Sequence, residues 1–332
     1  MDRLQEARIF LNSFRKKSTQ EFLFPFLLEN YSDAIQTYYP GEKLSPEHIH
    51  EKTRTLLNSV FSDLEKINPD ELFSWFHQKS RNHSPRDPIW FPEFMEAYAH
   101  YKHKQKLANR YQTLKPFLKG STYCDVGCGG GDLVAHLLSM HPEFESAAGI
   151  DILDWRSPEV KERIDFQMLD FTKQGVSSRA SYDTLTCLAV LHHTGTSAES
   201  MVNFLCNVKT AMRPGSVLII EEDVILPSDE YESHHEVLIQ IEQLKKEQPF
   251  LEGFLALSSE EQRDIIISID FLANCLSVGV PEMPFPCGFQ SLEQWLEIFN
   301  TTGLKVREVR IQGFVKNNFN QSSHVFFILE NS

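Results

Sequence analysis

Apolar side chains recur every three or four positions through the first third of the chain. Leu4, Ala7 and Leu11 show this spacing, which is that of one face of an α-helix. The same pattern over residues 94–118 predicts one long helix immediately before the pattern changes. Residues 1–118 are therefore predicted to form a helical N-terminal region.

Short apolar runs begin to alternate with helical stretches at Thr122. The predicted strands are Thr122–Val126, Ala147–Ile152, Ile164–Met168, Tyr182–Leu188, Ser216–Glu221, Leu304–Gln312 and Ser323–Leu329. Alternation of strands and helices is typical of a parallel sheet with helices on both faces. Because a loop rather than a helix separates the last two strands, they are expected to pair antiparallel. The sequence therefore predicts an α/β fold with a seven-stranded sheet.

A long segment, residues 224–290, interrupts the alternation after the fifth predicted strand. It includes helical runs at His234–Glu247 and Ser258–Val278. Ligands bind beyond the carboxyl ends of the strands in parallel sheets, so this insertion is predicted to be a helical lid that binds substrate. The expected organisation is the helical region 1–118 followed by a ligand-binding domain, 119–332, that contains the lid.

Charge is distributed unevenly along the chain, whose formal net charge is -14. Residues 119–332 carry 15 basic and 31 acidic side chains, whereas residues 1–118 carry 17 basic and 15 acidic ones. An acidic domain argues against a broad contact with a phosphate backbone, so nucleic acid is not the expected partner. The insertion alone has 12 acidic and 3 basic residues. We expect it to disfavour polyanions and to favour a neutral or cationic substrate.

The remaining composition indicates a cytoplasmic protein without a membrane or metal partner. The start, MDRLQEARIF, lacks the pattern of a signal peptide, and no apolar run approaches the roughly 20 residues that span a bilayer. The six cysteines are scattered without zinc-site spacing. His234 and His235 are adjacent, and neighbours on a helix point about 100° apart. We therefore expect no metal site.

The sharpest motif is the D-V-G-C-G-G-G run from Asp125 to Gly131. It follows a predicted strand and precedes a predicted helix. Glycines at such a point let the chain turn tightly and let a ligand approach the backbone. A dehydrogenase could also use a glycine turn, but here the glycines follow G-x-G-x-G rather than G-x-G-x-x-G, and an acid leads the turn by two residues.

Acidic residues end the next two predicted strands. Asp151 is placed to accept hydrogen bonds from a ribose diol, and its alternative role is a helix N-cap. Asp170 could accept a hydrogen bond from an adenine amino group, and its alternative role is to cap a turn. The neighbouring Phe171 could pack on the base.

Together these features resemble the class I S-adenosylmethionine-dependent methyltransferases with a type 11/12-like core. The matching pieces are the D-x-G-x-G-x-G turn, the acid after strand two, the D-F pair after strand three, the L-H-H run after strand four, the R-P-G turn before strand five and an F-x-S-x-x-x-W-x-x-x-F-x-x-x-G-L tail. The resemblance covers residues 105–223 and resumes at 289–330. Ser216 departs from the family, which has a second glycine after R-P-G. The resemblance implies a Rossmann-like methyltransferase sheet, S-adenosylmethionine as cofactor and S-adenosylhomocysteine as product.

The resemblance also implies a cofactor site by position. The glycine turn would contact the methionine part, the second strand end the ribose, the third the adenine, and the fourth the methyl-donor end. In this sequence those positions are Asp125, Gly127, Cys128, Gly129 and Gly131; Asp151 and Ile152; Asp170 and Phe171; and Leu188, Ala189 and His193.

Candidate catalytic residues follow strands four and five, beside the methyl-donor end. His192 or His193 could accept a proton from the substrate, because the unperturbed pKa of histidine lies near neutrality. One imidazole could instead pack under the cofactor while the other binds a loop carbonyl. Glu222 could orient a substrate or be an ordinary solvated acid at a strand end.

The expected function is methyl transfer to an oxygen or nitrogen atom of a small molecule held under the lid. If the protein forms a homodimer, its helical regions are expected to form the contact between the two copies. Two alternatives stay open. The helical region before the core is similar to that of the tRNA wobble-uridine carboxymethyltransferases, which would suit an RNA-modifying enzyme. A non-catalytic module that binds the cofactor or a protein partner would show the same cofactor motifs.

Overall fold

The structure, a computed structural model, describes residues 3–79, 90–176, 181–273, 288–314, 319 and 323–331. Before the sheet, the described chain forms the helices α1 (Arg3–Phe14), α2 (Lys17–Tyr38), α3 (Pro46–Lys66), α4 (Leu72–Lys79), α5 (Pro92–His100) and α6 (Lys106–Leu114). A π-helical turn, Tyr101–Gln105, joins α5 to α6, and a 3-10 turn, Lys115–Phe117, follows α6. The N-terminal region is thus helical, and the long helix predicted over 94–118 is divided by the π-turn.

The sheet contains seven strands within the described residues. They are β1 (Thr122–Val126), β2 (Ser146–Asp151), β3 (Asp165–Met168), β4 (Tyr182–Leu188), β5 (Met212–Asp223), β6 (Leu304–Phe314) and β7 (Ser323–Asn331). Their order is β3-β2-β1-β4-β5-β7-β6. The first five strands are parallel, and β7 pairs antiparallel with both β5 and β6. This confirms the predicted α/β sheet with its antiparallel last pair.

The direction in which strands are added reverses at β1, which lies between β2 and β4. Helices α7 (Asp132–Met140), α8 (Pro158–Lys161) and α9 (Ala198–Lys209) occur between the parallel strands, and α14 (Leu292–Thr301) precedes β6. A ligand in such a sheet binds where the order reverses, beyond the carboxyl ends of the strands. The glycine turn after β1 lies at this point.

The insertion is helical where it is described. It forms α10 (Ser228–Tyr231), α11 (His235–Leu244), α12 (Pro249–Leu255) and α13 (Ser259–Leu272). Helix α13 begins with a capping box in which Ser258 and Glu261 satisfy each other's backbone N–H groups. The predicted run Ser258–Val278 therefore starts as expected, and its last residues lie outside the described part.

The N-terminal helices pack directly on the insertion. The ring of Phe10 on α1 stacks on Phe271 of α13 with 4.1 Å between the ring centroids. The Nζ atom of Lys16 lies 2.6 Å from the carboxylate of Asp264 on the same helix. Consequently α13 is supported on one side by α1. The division at residue 118 stays a prediction.

None of the described helices is both long enough and apolar enough to cross a membrane. The expected homodimer and cytoplasmic location also stay predictions.

Candidate active site

The glycine turn leaves β1 with three residues in the left-handed region of backbone space. The φ angle is 73° at Gly127, 52° at Gly129 and 72° at Gly131, which glycine adopts without a Cβ clash. The N–H groups of Gly127 and Cys128 donate to the carbonyl of Ile150 at 2.7 and 3.2 Å. The turn is therefore held against the end of β2.

These glycines differ in what a side chain would meet. A Cβ atom at Gly127 would overlap Val190, and one at Gly131 would lie 2.6 Å from Ile164. By contrast, no described protein atom lies within 4 Å of a Cβ built at Gly129. The protein thus leaves open the space beside Gly129, as a backbone approached closely by a ligand requires.

Asp151 ends β2 and binds the backbone of the glycine turn. Its Oδ2 atom accepts a hydrogen bond from the N–H of Gly129 at 2.8 Å. It does not cap a helix, because Ser157 is the N-cap of the following helix α8. The next residue, Ile152, is 44% exposed. The ribose role of Asp151 stays a prediction.

Asp125 is buried at the end of β1. Its Oδ1 atom accepts a hydrogen bond from the hydroxyl of Thr186 at 2.6 Å. Burial raises the pKa of Asp125 to about 7, while Thr186 and the guanidinium of Arg110 oppose the shift. A carboxylate so weakly compensated within the chain suits a cationic group of a ligand. Cys128 is also buried, and its thiol packs against Gly149.

The residues after β3 already have partners within the protein. Asp170 Oδ1 accepts from the N–H of Thr172 at 3.0 Å, and Asp170 Oδ2 lies 2.8 Å from the Nζ of Lys173. This is a turn-capping arrangement, the alternative to the adenine role. The ring of Phe171 is buried and packs edge-on against Phe204. The adenine role of both residues stays a prediction.

β4 ends in a strained turn. Leu188 is buried, and Ala189 has a φ of 57°, the one positive value at a non-glycine residue in the described chain. The N–H of Ala189 donates to the carbonyl of Glu221 at 2.8 Å, which holds this conformation. Strain of this kind concentrates at functional sites.

Glu222 and His192 form a fully buried pair after this turn. The Nδ1 atom of His192 lies 2.6 Å from Glu222 Oε2. Glu222 Oε1 accepts from the N–H groups of Val190 and Leu191 at 3.1 and 2.7 Å. Burial by itself would lower the pKa of His192, but Glu222, helped by Asp270, raises it to about 9. Glu222 therefore positions both the imidazole and the turn that carries it.

Asp270 approaches this pair from helix α13 of the insertion. Its Oδ1 atom lies 3.7 Å from Nε2 of His192. His193 is partly exposed beside them, with 4.1 Å between the centroids of the two imidazoles. Phe289, from the far end of the insertion, stacks on His192 at 4.8 Å. The structure thus brings the predicted residues at this rim together and adds Asp270, for which the sequence contains no local signal.

β5 ends in three consecutive acidic residues, Glu221, Glu222 and Asp223. Their side chains point alternately to the two faces of the sheet, because side chains alternate along a strand. Glu222 faces the histidines, whereas Glu221 and Asp223 face β7 and α6. There the Nη2 atom of Arg110 lies 2.6 Å from Glu221, and Nδ1 of His324 lies 3.1 Å from Asp223. Sequence reasoning missed Arg110 and His324, since neither belongs to a motif.

His324 gives the protein a specific dependence of stability on pH. Burial by itself would lower the pKa of His324, but Asp223 and Glu221 raise it from 6.5 to about 9 against the opposing charge of Arg110. Because the folded pKa exceeds the unfolded one, the contribution of His324 is fully present below pH 6.5 and is lost as the pH rises to about 9.

We therefore expect the stability difference between the wild type and His324→Gln to shrink as the pH rises. The decrease should be on the order of 2–3 kcal/mol between about pH 6.5 and 9. Urea unfolding of both proteins at a series of pH values measures it. Comparing the two proteins cancels the titration of His192, which both contain. A difference that stays constant with pH would contradict this role of His324.

A doubly wound sheet with a glycine turn at its reversal point and an acid at the next strand end defines an α/β core that binds a nucleoside cofactor. Residues 98–309 match the family described as a methyltransferase domain, and the chain belongs to this family. The cofactor of this family of methyltransferases, and of this chain, is S-adenosylmethionine.

A curated relative is the tRNA U34 carboxymethyltransferase of Pseudoalteromonas translucida (strain TAC 125), which is 29% identical over 129 residues. The match covers 34% of this chain and 38% of that protein, so it spans well under half of either.

Two solved structures of methyltransferases are also similar. One is a protein of Methanosarcina mazei, with 13% identity, a TM-score of 0.43 and coverage of 67% of this chain and 97% of that chain. The other is the magnesium protoporphyrin IX methyltransferase of Synechocystis PCC 6803 with bound S-adenosylhomocysteine, with 17% identity, a TM-score of 0.40 and coverage of 72% and 88%. Neither is similar enough for its substrate or residues to be transferred to this chain.

Proposed function

We propose that the protein transfers the methyl group of S-adenosylmethionine to an oxygen or nitrogen atom of a small molecule enclosed beneath the insertion. The observation that carries this proposal is the approach of Asp270, on helix α13, to within 3.7 Å of His192 at the end of β4. On this proposal, helix α13 of the insertion covers the rim where the methyl-donor end is expected. A covered rim suits a small acceptor better than a macromolecule.

The support behind α13 favours the same conclusion. Phe10 stacks on Phe271, the residue after Asp270, and Lys16 pairs with Asp264, which lies six residues before Asp270 on the same helix. Helix α13, which carries Asp270, therefore packs against the N-terminal region and is not attached only through its flanking loops. We infer that the helical region completes the acceptor pocket by holding the lid in place.

We infer that the cofactor lies along the rim from the glycine turn to the end of β4. Asp125 offers an anionic partner to the amino group, the open space at Gly129 admits the methionine part, and Asp151 accepts from the ribose hydroxyls. When bound, S-adenosylmethionine supplies a methyl group activated by a positively charged sulfur. The protein residues then have to align the acceptor and exclude water.

Gly129→Ala is expected to weaken binding of S-adenosylhomocysteine roughly tenfold or more, because its methyl group enters the open space beside the turn. The left-handed backbone should cost only about 1–2 kcal/mol of stability. Gly215→Ala is a matched control, since Gly215 has a φ of 73° and equally open surroundings but lies in the R-P-G turn. Titration calorimetry measures the affinity of both variants for S-adenosylhomocysteine. Equal affinity of the two variants would contradict the assignment.

We infer that the acceptor lies against His193 and Asp270, two partly exposed polar residues of this rim. If the acceptor is a hydroxyl, its proton must leave, and an imidazole can receive it. An amine need only be neutral and desolvated. The insertion, with 12 acidic and 3 basic residues, favours a neutral or cationic acceptor over a polyanion.

The test is transfer of labelled methyl groups from S-adenosylmethionine to a cell extract separated into small molecules, RNA and protein. We expect label in the small-molecule fraction, and only when the protein is present. Label confined to RNA or protein would contradict a small acceptor. Binding of S-adenosylhomocysteine without transfer to any fraction would favour a non-catalytic module instead.

A tRNA acceptor is the second candidate, because the curated relative that matches part of the chain is named as a tRNA U34 carboxymethyltransferase. Against it stands the balance of 15 basic and 31 acidic residues over 119–332. Retention on immobilised tRNA at low salt, lost as salt increases, would support this candidate. If the protein passes through the tRNA column without retention at low salt, the tRNA acceptor is wrong.

A further inference from the structure

We propose that His192, His193 and Asp270 form a binding site for a divalent first-row transition-metal ion. One ring nitrogen of each histidine and one carboxylate oxygen of Asp270 lie within 4.8 Å of one another. Ligands at about 2.0–2.2 Å from a metal stand roughly 3–4.4 Å apart, so binding requires only a small contraction. Two imidazoles and one carboxylate form a donor set for zinc, manganese or iron rather than for calcium or magnesium.

His192 is the strongest part of the site. It is fully buried, and its Nε2 atom has no hydrogen-bond partner among the described residues. A buried nitrogen left in this state costs free energy that a metal bond would offset, and binding of the ion would release the Nε2 proton to solvent. This atom points toward Asp270, whose Oδ1 lies 3.7 Å away. This separation of Nε2 and Oδ1 is too long for a hydrogen bond, and the gap between the two atoms is too small for a bound group larger than a single ion.

The surroundings of His192 match those of a metal-bound histidine. A metal-ligating imidazole usually donates its other ring N–H to a carboxylate, which fixes the ring orientation and makes the ligand more basic. Here Nδ1 of His192 lies 2.6 Å from Glu222 Oε2. Glu222 is itself held by two backbone N–H groups at 3.1 and 2.7 Å. Glu222 is therefore positioned as an outer-shell partner that directs Nε2 at the ion.

The site joins the lid to the sheet. His192 and His193 follow β4, whereas Asp270 belongs to α13, so an ion would tie the insertion to the rim at one point. His193 and Asp270 are only partly buried, so protein side chains would not fully enclose the ion and one side of it would stay open. On the proposed function, this open side is where an acceptor oxygen would bind. The ion rather than an imidazole would then orient that oxygen.

The test is calorimetric titration of the full chain, first freed of metal with a chelator, with zinc chloride and separately with manganese chloride. We expect about one ion to bind per chain. Asp270→Asn and His193→Gln should each weaken it at least tenfold, since loss of a ligand costs no less than loss of an outer-shell partner. The matched control is His235→Gln, because His235 is an exposed histidine of the insertion, and this variant should bind as the wild type does.

Two outcomes would overturn the proposal. In one, the wild type binds neither ion, and His192 and Asp270 form only a direct ion pair. In the other, Asp270→Asn and His235→Gln bind the ions equally well, which indicates general surface binding. Each variant must retain its circular dichroism spectrum and its urea unfolding midpoint, which separates loss of the ion from misfolding. The titration contains neither cofactor nor acceptor, so its result is independent of whether methyl transfer is found.

Discussion

Asp151→Ala is expected to reduce the affinity for S-adenosylhomocysteine by about a hundredfold or more. The carboxylate would accept hydrogen bonds from two ribose hydroxyls, and each such bond to a charged group contributes roughly 1.5–3 kcal/mol. Its Oδ2 atom also accepts from the N–H of Gly129 at 2.8 Å, so the same variant loosens the glycine turn. Both losses act in the same direction, which makes this the largest expected effect on cofactor binding.

Titration calorimetry with S-adenosylhomocysteine measures this effect. The matched control is Asp154→Ala, because Asp154 is a nearby acid whose carboxylate pairs with Arg156 and Lys161 instead of the turn. Asp151→Asn separates the two contributions, since the amide oxygen can still accept from Gly129 but carries no charge. If Asp151→Ala and Asp154→Ala bind the ligand equally well, the ribose role is wrong.

Glu222→Ala is expected to lower the free energy of unfolding by about 3–5 kcal/mol, the usual cost of breaking a buried charged pair. Glu222 is fully buried, and its carboxylate serves three partners: His192 and the N–H groups of Val190 and Leu191. Alanine would leave all three without an acceptor in a place that water does not reach. The loss concerns the framework of the site and needs no substrate to be measured.

Urea unfolding followed by circular dichroism measures this loss. Glu222→Gln should lose less than the alanine variant, because its amide oxygen still accepts from the backbone while its amide N–H groups oppose the N–H of His192. The control Glu145→Ala removes an exposed glutamate and should change stability by no more than about 0.5 kcal/mol. A Glu222→Ala variant as stable as that control would show that the buried carboxylate does not organise the rim.

Local sequence signals accounted for the elements and for the glycine turn. β1 and β4 have the predicted boundaries. Gly127, Gly129 and Gly131 adopt left-handed φ angles, which a glycine allows without any contribution from distant residues. The long helix predicted over 94–118 was less accurate, since periodicity does not register a π-turn such as Tyr101–Gln105.

The partners of the charged residues could not be predicted in the same way. Glu221, Glu222 and Asp223 are consecutive, and their sequence does not show which of them faces which neighbour. The pleat of β5 turns Glu222 toward His192 and its two neighbours toward β7 and α6, where the chain supplies Arg110 and His324. An acid that appears solvated in the sequence is thus buried and paired in the fold.

By itself the sequence determined the α/β sheet, its antiparallel last pair, the glycine turn and the family, because each depends on residues close together in the chain. The tertiary structure alone decided that α13 folds back over the end of β4 and brings Asp270 to within 3.7 Å of His192. The neighbouring Phe271 packs against Phe10, which is also a contact between distant parts of the chain. Spacing and periodicity describe neighbours along the chain, whereas the composition of this site depends on neighbours in space.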